Sequence, residues 1–196
     1  MRRSSKDKIL EAALDLFAEK GYDATGVQEI VATAGVTKGA LYHHFAAKED
    51  ILFEIYGSVF AQQLAALDAI LAEGRRRDPA WTLRAVIENI VVSTAASAKA
   101  AAVFAREVSR LDQVRYKELQ SDWRRYQDSV RALIRNAQAD GIFATAASPE
   151  IISWAIFGVT TSLHTWYRPD GPKSAGDIAH ELADLVLAGL SPKKGS

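Results

Sequence analysis

The chain has 196 residues, 48% of them hydrophobic, with 24 Lys and Arg against 24 Asp and Glu and no cysteine. That length and apolar content allow one large core or two small ones, and the lack of cysteine excludes disulfides, thiolate zinc sites and cysteine nucleophiles. No run of 18 apolar residues reads as a membrane span, and the start MRRSSKDK leads into an amphipathic helix rather than a signal segment, so a cytoplasmic chain is expected.

Ser4 and Asp7 make a capping box for a first helix, whose Ile9, Ala13, Leu16 and Phe17 form an apolar stripe before Gly21 stops it. The basic residues ahead of it, 1–3, read either as a loose end or as an arm that touches phosphate. Residues 25–45, TGVQEIVATAGVTKGALYHHF, then read as two short helices joined by a glycine turn. Thr25 is expected to cap the first, with Gln28 as the other half of a capping box. Val27, Ile30, Val31 and Ala34 share one face, and Gly35 supplies a left-handed exit. Thr37 is expected to cap the second helix, whose Leu41 and Phe45 point inward while Lys38, Tyr42 and His43 point elsewhere. The result is a helix-turn-helix with a donor-rich second helix. In this motif that helix lies in the DNA major groove with its N-terminal residues at base edges, and the first crosses the backbone.

Residues 19–52, EKGYDATGVQEIVATAGVTKGALYHHFAAKEDIL, resemble the DNA-binding segment of the TetR family of bacterial repressors. Gly21, Ala34-Gly35-Val36, Gly39, Leu41-Tyr42, Phe45 and Lys48-Glu49 stand at the family's spacing. The sequence departs from the pattern at Ala47, where a Ser or similar cap usually precedes the next helix; the missing cap is worth about 1 kcal/mol at most. The resemblance implies DNA contacts from Thr25, Gln28, Thr37, Lys38, Gly39, Tyr42, His43 and Lys48. Charge works against a simple basic domain, because residues 1–50 hold seven Lys and Arg against eight Asp and Glu. Placement favours the motif: Lys38, Lys48 and the Arg2-Arg3 arm flank the second helix, and the acids lie mainly elsewhere. Few phosphate contacts per subunit imply that useful affinity needs two subunits on one site.

A long helix over about 48–73 keeps Ile51, Leu52, Ile55, Val59, Phe60, Leu64, Leu67 and Leu71 on one face and serves as a connector. Residues 74–79, GRRRDP, break it with a charged turn, an Asp cap and a Pro in the next first turn. The arginine triplet reads as a solvated loop or as a second, distant DNA patch. The next helix, about 80–99, carries Trp81, Val86, Ile87, Ile90 and Val91. A short helix follows at about 101–110, and a long one at about 113–140 whose interleaved acids and arginines suggest an ion-paired solvent face. From Ser148-Pro149 a helix runs to about 167 with hardly any polar face, so a second subunit is its natural cover. With the last helix, 174–189, it reads as a dimer face formed by Ile152, Ile156, Ile178, Leu182, Leu185 and Val186. Two-fold symmetry then places two recognition helices about one DNA turn apart on palindromic half-sites.

Aromatic and aliphatic side chains with hydroxyls along one side suit an apolar ligand cavity between helices; a packed core without a cavity accounts for them equally. Residues 162–190, SLHTWYRPDGPKSAGDIAHELADLVLAGL, resemble the end of a TetR subgroup that controls fatty-acid, aromatic-acid or steroid breakdown and senses acyl-CoA thioesters. This resemblance implies an acyl group among Phe104, Trp123, Tyr126, Phe157 and Trp166, polar contacts from Thr161 or His164, and CoA phosphates on Arg106, Arg110, Arg124 or Arg125. Trp166 also fits as a core aromatic, and Arg168 as a helix cap before Pro169.

The expected fold is all-α: a three-helix helix-turn-helix domain over 1–47 and a helical ligand-binding and dimerisation bundle over 48–196, about nine helices in all. The expected function is a ligand-released repressor, homodimeric on palindromic operator DNA and associated with the bacterial nucleoid. Its effector would be an acyl-CoA or another apolar small molecule, with no metal and no cofactor. Effector binding would act through the connector helix on the separation of the recognition helices. Two rivals are weaker. An enzyme would draw on His43, His44, His164 and His180, but adjacent histidines point about 100° apart on a helix and the sequence has no His-x-x-x-His or Glu-x-x-His pair. A helical adaptor leaves the capped glycine turn unexplained.

Overall fold

The computed structural model describes residues 3–192, which form helices joined by loops, with no strand among them. In chain order the helices are α1 (Ser5–Lys20), α2 (Val27–Ala34), α3 (Lys38–His44), α4 (Lys48–Gly74), α5 (Pro79–Ala96), α6 (Ala98–Glu107) followed by a 3-10 turn (Val108–Arg110), α7 (Gln113–Ala139), α8 (Pro149–Thr161), α9 (Leu163–Trp166) and α10 (Ala175–Leu190). Nine of them have seven residues or more, as the sequence led one to expect. The difference falls at Ser162, where a single expected helix breaks into α8 and the four-residue α9. There the hydroxyls of Thr160, Thr161, Ser162 and Thr165 all bond to carbonyls three or four residues back, a competition that bends helices.

The chain packs as two compact units, described here within residues 3–192: Met1–Phe60 with Lys99–Gln120, and Ala61–Ala98 with Ser121–Ser196. The boundary expected at residue 47 is therefore not where packing divides the chain. The first half of α4, nearly all of α6 and the first turns of α7 pack with the helix-turn-helix. In this first unit Ile9, Phe17, Ile30 and Leu41 have no solvent exposure and share a core with Ile51, Leu52, Ile55, Val103, Leu111 and Leu119. Each such side chain contributes about 1.5–3 kcal/mol on burial. Cations from 99–120 reach acids of the first 50 residues: Lys99 pairs with Asp15 on α1 at 2.6 Å, Arg110 with Asp23 in the turn after it, and Arg115 with Asp50 on α4. Arg106 donates to the Phe17 carbonyl, and the buried carboxylate of Glu107 accepts from Arg106 Nε at 2.8 Å and from the Tyr22 N–H at 3.3 Å. The acid excess of the first 50 residues is met in this way by bases far along the chain.

In the second unit α10 lies along α5, with α8 and α9 beside them. Leu83, Val86, Ile87, Ile90, Val130, Ile134, Ile156, Phe157, Leu163 and Ala183 form the core. Asp78 caps α5 by accepting from the Trp81 N–H at 2.6 Å, with Pro79 in the first turn; Ser174 and Asp177 form a full capping box on α10. Gly74 ends α4 where a Cβ would stand 2.4 Å from Thr82 Oγ1, so only glycine fits. Of the exposed arginine turn, Arg77 pairs with Glu73 at 3.3 Å and lies 5.0 Å over the Trp81 ring. By length and composition α4 could cross a membrane. Its apolar side chains are nevertheless used inside the protein: Ile51, Leu52 and Ile55 in the first core, Leu64 and Leu67 in the second.

Candidate nucleic-acid interface and effector site

The geometry of α2 and α3 follows from three short-range devices. Gly35 takes φ +63°, a left-handed conformation that other residues adopt at a cost, and its N–H bonds to the Ala32 carbonyl at 3.2 Å. Val36 N–H closes on the Val31 carbonyl at 3.1 Å. Thr37 Oγ1 then accepts from the Ala40 N–H at 3.1 Å and starts α3 as expected. Leu41 and Phe45 anchor the inner side of α3, leaving Thr37, Lys38, Gly39, Tyr42, His43 and His44 exposed. Lys38 Nζ sits 5.8 Å over the Tyr42 ring, and the His43 and His44 rings meet edge to face at 5.1 Å. At Gly39 an added Cβ would find only Thr37 Oγ1, at 3.9 Å, so nothing within the chain requires glycine there. On α2, Gln28 is exposed as well. This surface holds donors and acceptors but no carboxylate, which suits base edges and phosphates.

Two of the residues expected to contact DNA have partners within the chain. Thr25 is buried, donates to the Gly21 carbonyl at 2.7 Å and caps nothing on α2, whose N-cap is Gly26 without a side-chain bond. Gly21, at φ +90°, turns the chain so that its carbonyl needs a partner. Lys48 Nζ donates to the Tyr22 and Thr25 carbonyls at 2.7 and 2.8 Å and lies 4.1 Å over the Tyr22 ring. Burial pushes this ammonium below the ordinary lysine value, against the pull of Asp23 and Glu107. Lys48 thus staples the start of α4 to the loop after α1 with two of its three ammonium donors. The cap missing at Ala47 is replaced from the other side, since Asp50 Oδ2 accepts the Ala47 N–H at 2.8 Å. Of the basic arm, Arg3 pairs with Glu11 on α1; Arg2 lies outside the described residues.

The ten expected ligand contacts fall into both units. In the first, Phe104 packs edge to face on Tyr56 at 4.7 Å and on Phe60 at 5.9 Å. Arg106 and Arg110, both half-exposed, are engaged with Phe17, Glu107 and Asp23. In the second, Trp123, Tyr126 and Phe157 come together: Trp123 stacks on Tyr126 at 6.0 Å, and Phe157 meets Trp123 at 5.1 Å and Tyr126 at 5.9 Å, both edge on. Tyr126 is buried and its hydroxyl meets no hydrogen-bond partner; burial pushes the phenol well above its ordinary value. Thr161, His164 and Trp166 do not join this cluster's polar side. Thr161 donates to the Phe157 carbonyl at 2.6 Å, His164 Nδ1 lies 2.9 Å from the Thr161 carbonyl, and the exposed Trp166 donates to Ser162 Oγ at 3.2 Å. Arg124 is exposed on α7, and Arg125 pairs with Asp68 at 2.7 Å. Arg168 Nη1 donates to the Tyr167 carbonyl at 3.1 Å, a cap of the kind its position suggested.

The expected dimer face also needs correction. Ile152, Ile156 and Leu182 are core residues of their own chain, and Ile178 and Val186 are half-buried against that core; only Leu185 points outward, at 72% exposure. The outward stripe of α8 is instead Ile151, Trp154, Ala155, Gly158 and Val159, with Ile151 at 53% and Trp154 at 58%. The sequence signalled an apolar helix without a polar face; it carried no sign of which stripe α5 and α10 would cover.

An all-α chain with one helix-turn-helix in a compact unit, and a second helical unit with an aromatic cluster, defines a DNA-binding transcription regulator. Residues 9–55 match the family described as bacterial regulatory proteins, tetR family, and residues 76–190 match the tetracyclin repressor-like C-terminal domain. The chain belongs to the TetR family and is a transcription regulator, not an enzyme. It is 29% identical over 95% of its length to 91% of the HTH-type transcriptional repressor KstR2 of Rhodococcus jostii. The solved KstR2 of Mycobacterium tuberculosis, a ketosteroid transcriptional regulator, covers 98% of both chains with a TM-score of 0.86 at 24% identity. The TetR family regulator PfmR of Thermus thermophilus is 31% identical, covers 94% of this chain and 99% of its own, and gives a TM-score of 0.83. AibR, solved with isovaleryl coenzyme A and operator DNA, covers 93% and 97% with a TM-score of 0.77 at 23% identity.

Proposed function

We propose that this regulator is a homodimeric repressor that binds a palindromic operator through α3 and leaves it when an acyl-CoA thioester binds the second unit. The observation that carries the DNA half is the outward face of α3: Thr37, Lys38, Tyr42 and His43 exposed on a helix locked by Gly35, Thr37 and Leu41. The apolar outward stripe of α8 supports a second subunit as its cover, since soluble chains rarely leave such a patch uncovered. Two copies would give two α3 helices for two half-sites, and the affinity one sparse helix lacks. Likeness to AibR, solved with isovaleryl coenzyme A and operator DNA, supports the effector class. The effector would act through α4, which is continuous from Lys48 to Gly74 and contributes to both units, and only to the extent that it binds the released form more tightly. The protein would act in the cytoplasm at the nucleoid, needing no metal or cofactor besides the effector.

A second reading has its own support. Arg106 and Arg110, the cations expected at CoA phosphates, are engaged in ion pairs within the first unit, which suits an apolar effector without CoA. Fluorescence anisotropy on palindromic DNA from upstream of its own gene tests both readings. Saturable binding released by octanoyl-CoA but not by octanoate supports the thioester. Release by octanoate alone favours the second reading, and no binding to any such DNA overturns both.

A further inference from the structure

The second unit leaves one buried side-chain hydroxyl unanswered. Its other buried hydroxyls are satisfied locally: Thr82 donates to the Asp78 carbonyl at 3.2 Å, Ser153 to Glu150 at 2.9 Å and Thr160 to Phe157 at 3.2 Å. The Gln63 amide reaches Ser93 Oγ and Thr94 Oγ1 at 3.4 and 3.5 Å. Tyr126, 1% exposed, has no such partner for its phenol. Its ring packs against Trp123 and Phe157, with centroids at 6.0 and 5.9 Å, and those two rings also meet each other at 5.1 Å. Phenylalanine would give the same aromatic packing without the cost of burying an unpaired hydroxyl. A group kept buried and unpaired calls for a role outside the unliganded fold.

We infer that the Tyr126 hydroxyl is the anchor for a carbonyl oxygen of the effector, held against the aromatic faces of Trp123 and Phe157. The ligand class is an apolar body bearing one carbonyl, either the thioester carbonyl of an acyl-CoA or a ketone free of CoA. A phenol is chosen because it donates one strong hydrogen bond without carrying a charge, and burial keeps it protonated as a donor. A pocket that donates to a carbonyl also discriminates against analogues lacking it, because their binding leaves the phenol unpaired. The inference rests on the reading that an effector binds this unit, and it goes further by naming the atom that is recognised.

The test is a double-mutant cycle on the full dimeric protein. Wild type and Tyr126→Phe are titrated calorimetrically with two matched pairs: octanoyl-CoA against its thioether S-octyl-CoA, and 4-phenyl-2-butanone against butylbenzene. In wild type, at least one carbonyl-bearing compound should bind about three- to tenfold more tightly than its carbonyl-free partner, and Tyr126→Phe should erase that difference. The variant should keep operator affinity and melt at the same or a higher temperature, since it loses only an unpaired buried hydroxyl. Discrimination in the thioester pair identifies a CoA effector. Discrimination in the ketone pair alone sinks the CoA reading and leaves Tyr126 as the anchor. Discrimination that survives in Tyr126→Phe, no binding of any carbonyl compound, or a clear loss of melting temperature in the variant would each overturn the assignment.

Discussion

Helices α3 and α8 both turn outward residues that their own units do not use, with opposite chemistry. On α3 these are Thr37, Lys38, Tyr42 and His43; on α8 they are Ile151, Trp154, Ala155, Gly158 and Val159. The first set is at home in water and needs no cover, so it is free to meet a hydrated, charged polymer. The second is apolar, the kind of patch that soluble chains usually cover. The difference teaches that exposure alone says little, while exposure together with side-chain chemistry separates a surface suited to DNA from one suited to an apolar partner.

The sharpest way to break this comparison is Trp154→Glu. With the side chain exposed in the single chain, the monomer should keep its melting temperature, while light scattering shows dissociation. Operator affinity should fall by about 100-fold or more, because the second half-site is no longer tethered. An unchanged dimer would refute the role given to α8. Next in size is Leu41→Ala, which empties the inner side of α3 and should cost about 2–5 kcal/mol of stability together with DNA binding; denaturant melts measure it. The neighbours Ile151 and Ile152 should then separate cleanly: Ile152→Val should cost about 0.5–1.5 kcal/mol in the chain itself, whereas Ile151→Val should leave urea unfolding of a monomeric Trp154→Glu background unchanged.

Two lysines sharpen the DNA side. Lys38→Ala should lower the salt slope of operator binding by about 1 per subunit, the mark of a lost phosphate contact. Lys48→Ala should leave the slope unchanged and lower stability by about 1 kcal/mol, given its two carbonyl partners and partial exposure. The smallest effect concerns the caps. Hydrogen bonds from Ser4 and Ser174 hold the Asp7 and Asp177 carboxyls below their ordinary 3.8. Their contribution is fully present above 3.8 and is lost as pH falls through the depressed folded values. Asp7→Asn and Asp177→Asn should therefore flatten the acid limb of a thermal-melt series slightly, one for each unit.

Much of the local structure was legible before any coordinates. The cap at Thr37, the left-handed turn at Gly35, the stop at Gly21 and the Asp78-Pro79 start are written in short spacings, because each depends on atoms within four residues of one another. Of the five aromatics that the resemblance grouped, Trp123, Tyr126 and Phe157 do meet, whereas Phe104 packs in the first unit and Trp166 is exposed. Thr25 was misread as a cap, and the carbonyl partners of Lys48 went unseen, because each had a carbonyl within reach that only the folded loop presents. Glu107 and Asp50 were missed because their partners, Tyr22 and Arg115, are distant in the chain.

The sequence by itself determined the all-helical plan, the helix-turn-helix and its capped recognition helix, since helical period, caps and glycine turns are local properties of the chain. Only the tertiary structure decided which stripe of α8 faces outward, that 99–120 belongs with the DNA-binding unit, which cations are already engaged, and that Tyr126 alone among the buried hydroxyls of its unit stays unpaired. Those outcomes depend on contacts between segments far apart in sequence, where the alternatives differ in packing and pairing rather than in local propensity.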